Sequence, residues 1–211
     1  YEDEYFLVVN KPANLPSIPS RNEEDASLLE IVNTYFHDNN YVTIPHIVTR
    51  LDKNTTGLVL IAKHRHIHAL FGKTDINKFY LALAKGRVAD QVIEANIKRE
   101  ADSIITRCVA EDGDYAKTQV WLEKYDEKNN VSLVKLKLFT GRTHQIRVHM
   151  SHLGHPLLGD ELYGGNKDLI ARQALHCYNL QFKHPITQNE ISLEVPLVED
   201  IRIITDSIGI Y

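Results

Sequence analysis

The sequence predicts an α+β fold: a mixed, largely antiparallel central sheet flanked by helices and loops. Apolar residues alternate with period two at 78–84, and two further strand-like runs, 117–124 and 131–139, are joined by a polar hairpin stretch. Helix start and stop signals enclose segments beginning near residues 27, 64 and 143. Strands and helices do not alternate in regular strand–helix–strand units, which argues against a parallel sheet.

The elements follow in order. Residues 5–10 read as a strand ended by Lys11-Pro12. Ser27 with Glu30 forms a capping-box pattern, opening a helix through Leu28, Leu29, Ile31, Val32 and Tyr35. A short apolar strand spans 58–62, and a helix spans 64–71 with Gly72 as its stop. Along 78–84, Phe79, Leu81 and Leu83 point one way and Tyr80, Ala82 and Ala84 the other. One large ring beside two small residues either fills a core gap or floors a pocket. Asp126-Glu127-Lys128-Asn129-Asn130 is the hairpin loop, and Thr140-Gly141-Arg142-Thr143 a turn. Thr143 is the expected cap of a helix running to Leu153, with Gly154 as the stop and Ile146, Met150 and Leu153 as its core stripe. A strand at 191–195 and a helix at 199–207 close the chain.

At 211 residues the chain is long enough for one large domain or two small ones. No apolar run approaches the roughly 20 residues that cross a bilayer, and the opening is acidic, unlike a signal peptide. The chain starts at Tyr1 without a Met, so a preceding module is expected to be absent or trimmed. Two separated cysteines, Cys108 and Cys177, read as small core residues in a reducing cytoplasm. A net charge of −4 argues mildly against a nucleic-acid partner. Lys and Arg nonetheless cluster at 50–53, 63–65, 135–147 and around 172, so RNA binding here requires a local basic cleft.

Two stretches could carry chemistry. Arg50-Leu51-Asp52 precedes Lys53-Asn54-Thr55-Thr56-Gly57 and the apolar strand, so Asp52 sits in a loop leading into buried structure. On its own it reads first as a turn aspartate accepting local backbone hydrogen bonds. Residues 141–149 are densely polar, and Arg147 stands beside the Ile146 stripe at the edge of the core. A buried Arg needs a carboxylate, and Asp52 is the attractive partner. His144, His149, His152 and His155 raise the question of a metal, but the HExxH pattern is missing, no Cys is near, and Glu161 is the nearest downstream carboxylate. Phosphate-cradling Gly-rich loops and the Gly-x-Ser-x-Gly elbow are also missing.

Several of these segments resemble, in order, those of the RluA-type pseudouridine synthases. Thr49-Arg50-Leu51-Asp52 through Thr56-Gly57 and the following apolar strand resembles the family's catalytic segment, and Lys78-Phe79-Tyr80-Leu81-Ala82 its Lys-x-Tyr-x-Ala strand. Gly141-Arg142-Thr143-His144-Gln145-Ile146-Arg147-Val148-His149 matches almost letter for letter. Asn10-Lys11-Pro12, the run from Gly154 to Asp160, Tyr163-Gly164, the run from Arg172 to His176, and His184-Pro185 extend the likeness over about residues 5–201. Thr49 stands where the family usually has His, and Thr56 where it has Ser; the first change puts a local contact beside Asp52 in doubt.

The resemblance implies a single catalytic domain over 1–211 with the family's cleft, the small N-terminal RNA-binding domain absent or trimmed. It implies isomerisation of uridine to pseudouridine in ribosomal or transfer RNA, in the cytoplasm, by a monomer that needs no cofactor and no metal. Asp52, Tyr80 and Arg147 take the catalytic roles: carboxylate at the ribose, stacking platform for the detached uracil, and cation fixing the carboxylate. Arg50, Thr56, Arg142, His144, Gln145 and Leu175 are implied to bind substrate, Arg50 by filling the space the extruded base leaves. A non-catalytic RNA-binding protein of the same fold would be expected to lack one of the three catalytic residues, and all are present. A glycoside or nucleoside hydrolase would bring a second acid into the Asp52 motif, which has none.

Overall fold

The computed structural model describes residues 1–19 and 26–209. The chain divides into two compact units, one of residues 1–76 with 177–195 and the other of 77–176 with 196–211.

The first unit begins with β1 (Phe6–Lys11) and α1 (Leu28–Asp38). The capping box forms as expected: the Ser27 hydroxyl accepts from the Glu30 backbone N–H, and the Glu30 carboxylate accepts from the Ser27 N–H at 2.7 Å. The buried face of α1 is Leu28, Val32 and Phe36, whereas Ile31 and Tyr35 are exposed. The core therefore takes the i, i+4, i+8 row of this helix. Next come β2 (His46–Ile47), β3 (Thr56–Ala62), buried along its whole length, and α2 (Arg65–Phe71). Gly72 is the C-cap of α2 in right-handed geometry, φ −62°, so this stop does not use the left-handed freedom of glycine.

The second unit holds β4 (Asn77–Lys85), β5 (Gln91–Glu94), β6 (Ile97–Arg99), β7 (Arg107–Val109), β8 (Lys117–Asp126), β9 (Val131–Leu138) and α3 (Gln145–His152). A single 3-10 turn follows at Glu161–Tyr163. β10 (Leu175–Lys183) and β11 (Glu190–Glu194) return the chain to the first unit, and α4 (Glu199–Ser207) ends in the second. The cap of α3 departs from expectation: it is His144 in left-handed geometry, φ +58°, with no side-chain cap bond, and not Thr143. The helix is also buried nearly all round, Gln145 through Met150, instead of along one stripe.

The strand pairs β1/β3, β2/β3, β10/β11, β4/β9, β8/β9, β5/β8 and β6/β7 are all antiparallel. The α+β, largely antiparallel architecture is as the sequence predicts. In the first unit Phe6, Phe71 and Phe182 meet edge to face, with ring centroids 5.4–5.6 Å apart. Edge-to-face geometry sets the positive ring edge against the negative face, adding about 0.5–1.5 kcal/mol per pair to the apolar burial. In the second unit Leu83, Val131, Leu133, Leu158, Ile170, Ala174, Ile201 and Ile204 form one cluster. Cys177 is buried and Cys108 half-buried, and neither is in a disulfide. Among the described residues no helix is long and apolar enough to cross a membrane.

Candidate active site

The Asp52 loop is fastened from the segment that follows β1. Lys11, buried at the end of that strand, donates from Nζ to the carbonyls of Pro12, Leu15 and Lys53. An ammonium with three donors fits that cage of three acceptors. The Ser17 hydroxyl donates to Leu51 O at 2.7 Å and accepts from Leu51 N at 3.0 Å, gripping the peptide just before Asp52 from both sides. Leu15 N donates to Lys53 O, and Asn14 N to Asn54 Oδ1. Thr55 N closes a turn on Asp52 O at 3.0 Å. Asp52 thus stands half-buried on a pinned turn, with Arg50 exposed on one side and Thr55 and Thr56 buried on the other.

Gly57 completes the anchorage. Its φ is +113°, and a Cβ there would stand 2.1 Å from the Cys177 carbonyl oxygen, so no other residue lets the loop enter β3 at this point. Thr49 is tied to β3, its Oγ1 accepting from Leu60 N at 2.9 Å. The family's usual His is therefore replaced here by a residue committed to the strand.

In the second unit Tyr80 lies on β4, opposite Leu136 of β9, and is only 4% exposed. Ala82 and Ala84 share its face and are fully buried. Arg147, 7% exposed on α3, makes a two-pronged ion pair with Asp160: Nε to Oδ2 and Nη2 to Oδ1, both 2.7 Å. Its guanidinium also lies over the Tyr163 ring, 4.9 Å from the centroid. Parallel N–H···O bonds of this kind combine charge with planar geometry, so they fix orientation as well as position. The sequence pointed Arg147 towards Asp52; the carboxylate that grips it inside its own unit is Asp160. Gly159, φ +75°, sits so close to the Arg172 carbonyl that a Cβ would meet it at 1.9 Å, which sets the approach of Asp160.

The other expected substrate-binding residues divide. Arg142 is exposed, with Nε donating to Tyr115 O at 3.1 Å. His144 Nδ1 is 2.8 Å from the Tyr163 hydroxyl, which accepts from Arg107 N. Gln145 is 2% exposed and spends both ends of its amide inside the fold. Its Oε1 accepts from Thr140 Oγ1 and Arg142 N, and its Nε2 donates to Lys117 O and Thr118 Oγ1. These bonds hold the 140–145 loop against β8. Leu175 is buried at the start of β10. His149 bonds Thr118 Oγ1 and Ala95 O, both at 2.9 Å, and burial pushes its pKa below the ordinary 6.5. Among the described residues no three His, Cys, Asp or Glu gather as metal ligands would.

The sequence did not single out Asp160 and Tyr163 as the partners of Arg147 and His144. Gly154 to Asp160 and Tyr163-Gly164 stood out in the sequence as segments, and the requirement that a buried Arg find a carboxylate was the signal for Asp160.

Residues 5–152 match the family model described as RNA pseudouridylate synthase. The chain belongs to that family. A Bacillus subtilis RNA pseudouridine synthase, YjbO, is 42% identical over 207 residues, covering 95% of this chain and 72% of that protein. Ribosomal large subunit pseudouridine synthase D of Vibrio parahaemolyticus is 36% identical, over 99% of this chain and 69% of its own length. Among solved structures, human RNA Pseudouridylate Synthase Domain Containing 1 superposes with a TM-score of 0.75 at 25% identity, covering 100% of this chain and 94% of that one. Human RNA Pseudouridylate Synthase Domain Containing 4 shares the fold, with a TM-score of 0.77 at 20% identity over 99% of this chain and 92% of its own. The family's enzymes are isomerases that convert uridine to pseudouridine within RNA, and that is the class of this chain.

Proposed function

We propose that this protein isomerises uridine in the RNA of the large ribosomal subunit, in the cytoplasm and as a monomer, with Asp52 as the catalytic carboxylate. The observation that carries the assignment is the pinned turn. A carboxylate half-buried on a loop held by Lys11, Ser17 and Gly57 has its position set before substrate arrives, as a group acting at one ribose carbon requires. The family match spans Asp52, Tyr80 and Arg147 together, and the relatives named for the large ribosomal subunit support that RNA as substrate.

The chemistry follows from the balance of atoms. The C1′–N1 bond breaks, the uracil turns, and a C1′–C5 bond forms while the hydrogen of C5 is replaced by one at N1. Nothing is oxidised or lost, so no cofactor is required. Asp52 acts at the ribose, by attack on C1′ or by removing the C2′ proton. Tyr80 provides an aromatic surface on which the detached ring turns in plane. Arg147 supplies the positive charge that fixes the carboxylate, oriented for that task by Asp160. Arg50 occupies the space left by the extruded base, Thr56 and Leu175 line the base's site, and Arg142 and His144 contact the RNA backbone.

The test is to map pseudouridines in the RNA of cells with and without the protein, then complement with Asp52→Asn. The expected result is loss of one or a few sites, restored by wild type and not by the variant. Restoration by Asp52→Asn would refute the assignment of the carboxylate, and unchanged maps would refute the activity.

A further inference from the structure

A second basic feature lies outside the residues assigned above. On the first unit, His46 of β2 and His64, Arg65, His66 and His68 at and within α2 share one surface. The rings of His64 and His66 stack at 5.4 Å, and those of His46 and His68 stand 5.8 Å apart. Beside them runs an open groove of about 710 Å³, lined by Val42, Ile44, His46, His64, Arg65 and His66 among others, with no carboxylate in its lining. Val42 and Ile44 project into solvent at 102% and 65% exposure, which serves no core.

The neighbouring charges are accounted for. Lys63, at the end of the β3 segment, is paired with Glu2 at 2.6 Å and bonded to the Tyr41 hydroxyl. Glu2 in turn accepts from Tyr35 and Tyr41. These bonds hold the Glu2 carboxyl below its ordinary pKa although burial alone would raise it, so it stays ionised and matched to Lys63. What remains at the groove is Arg65 with the imidazoles of His46, His64 and His66, and His68 beside His46; imidazole is the side chain whose charge responds to pH near neutrality. Burial, with His68, Arg65 and His64 close by, pushes the pKa of His46 below its ordinary 6.5.

We propose that this groove binds the phosphodiester backbone of the RNA substrate, away from the nucleotide being isomerised, and grips it more tightly as its imidazoles protonate. The inference rests on the reading that the substrate is RNA. Charge selects the occupant: a chain with a net charge of −4 approaches a polyanion only through local basic footprints, and this one is free of acids. Imidazole faces and exposed aliphatic side chains beside the charges suit unstacked bases, which single-stranded RNA offers.

The test uses the full chain and a fluorescein-labelled single-stranded RNA of about 12 nucleotides, with anisotropy read at pH 7.5 and 6.0 over a salt series. Wild type is expected to bind several-fold more tightly at pH 6.0. The variant H64Q/R65Q/H66Q is expected to bind about ten-fold more weakly there and to lose most of the pH dependence. Its salt slope should fall by about 2, from three phosphate contacts at about 0.7 each on a single strand. All three positions are at the surface, and an unchanged melting temperature confirms folding. Equal binding by variant and wild type at both pH values overturns the proposal. So does tighter binding, in the same groove, of an acidic peptide than of the RNA. Asp52→Asn serves as the control: it retains the pH-dependent binding, so a failure of the catalytic assignment is read separately from a failure of the groove.

Discussion

Arg147 spends two of its five N–H donors on Asp160, and both groups are almost fully withdrawn from water. Such a pair contributes little net stability, because desolvating two charges offsets their attraction, yet breaking it strands a buried charge. Asp160→Ala is therefore expected to lower the unfolding free energy by about 3–5 kcal/mol, measured by urea denaturation. Asp160→Asn keeps the shape and one acceptor and should cost less, while turnover falls because the guanidinium loses its second prong. If Asp160→Asn turned over RNA at the wild-type rate, Asp160 would not be orienting Arg147 for catalysis. The same burial explains why this partner was hard to find in the sequence. Asp160 is 13 residues downstream, beyond the end of α3, so no helical spacing relates it to Arg147, and only the chain reversal at 154–159 brings them together.

The element that carries Arg147 is held by its neutral histidine. In α3, His149 takes a hydrogen bond from Thr118 at one ring nitrogen and donates to Ala95 O at the other, a pattern inferred from the partners. Burial, with His152 nearby, lowers its pKa in spite of the Ala95 bond. The folded state therefore resists protonation more than the unfolded chain does. Its contribution is fully present above 6.5, the ordinary value, and erodes as the pH falls from there to the folded-state value. Chemical denaturation between pH 7.5 and 5 should show this loss, and His149→Gln should be less stable at pH 7.5 with a flatter profile. A profile as steep in His149→Gln would place the effect elsewhere. Elements with local signals were legible: the Ser27–Glu30 box, the alternation at 78–84, the 126–130 hairpin loop. The short strands β5, β6 and β7 were not, because three or four residues show no period and pairing alone defines them. The cap of α3 failed for a related reason. Thr143 has the right chemistry, but Gln145 reaches back to Arg142 N and Thr140, and the tightened loop places His144 at the cap position.

For the molecule as a whole, a net charge of −4 sets a long-range field that opposes RNA, while Arg50 and Arg142 stand exposed beside the assigned residues. The two effects separate by their response to salt. Net-charge repulsion is screened over about 8–10 Å at moderate ionic strength, so it weakens as salt rises. Contacts to phosphate release bound counterions, so their contribution also shrinks with salt, but with a slope counted in phosphates, about 0.7 each on single-stranded RNA. Arg50→Gln and Arg142→Gln are each expected to reduce the slope of log affinity against log salt by about 0.7. Counterion release counts each phosphate contact separately, so the double variant should lose about 1.4, the sum. Substituting Glu127→Gln, a carboxylate in the exposed 126–130 loop, changes the net charge by the same amount in the opposite sense and should leave that slope unaltered. If Glu127→Gln moved the slope as far as the arginine variants do, RNA would be sensing the overall charge, and specific phosphate contacts at Arg50 and Arg142 would be ruled out.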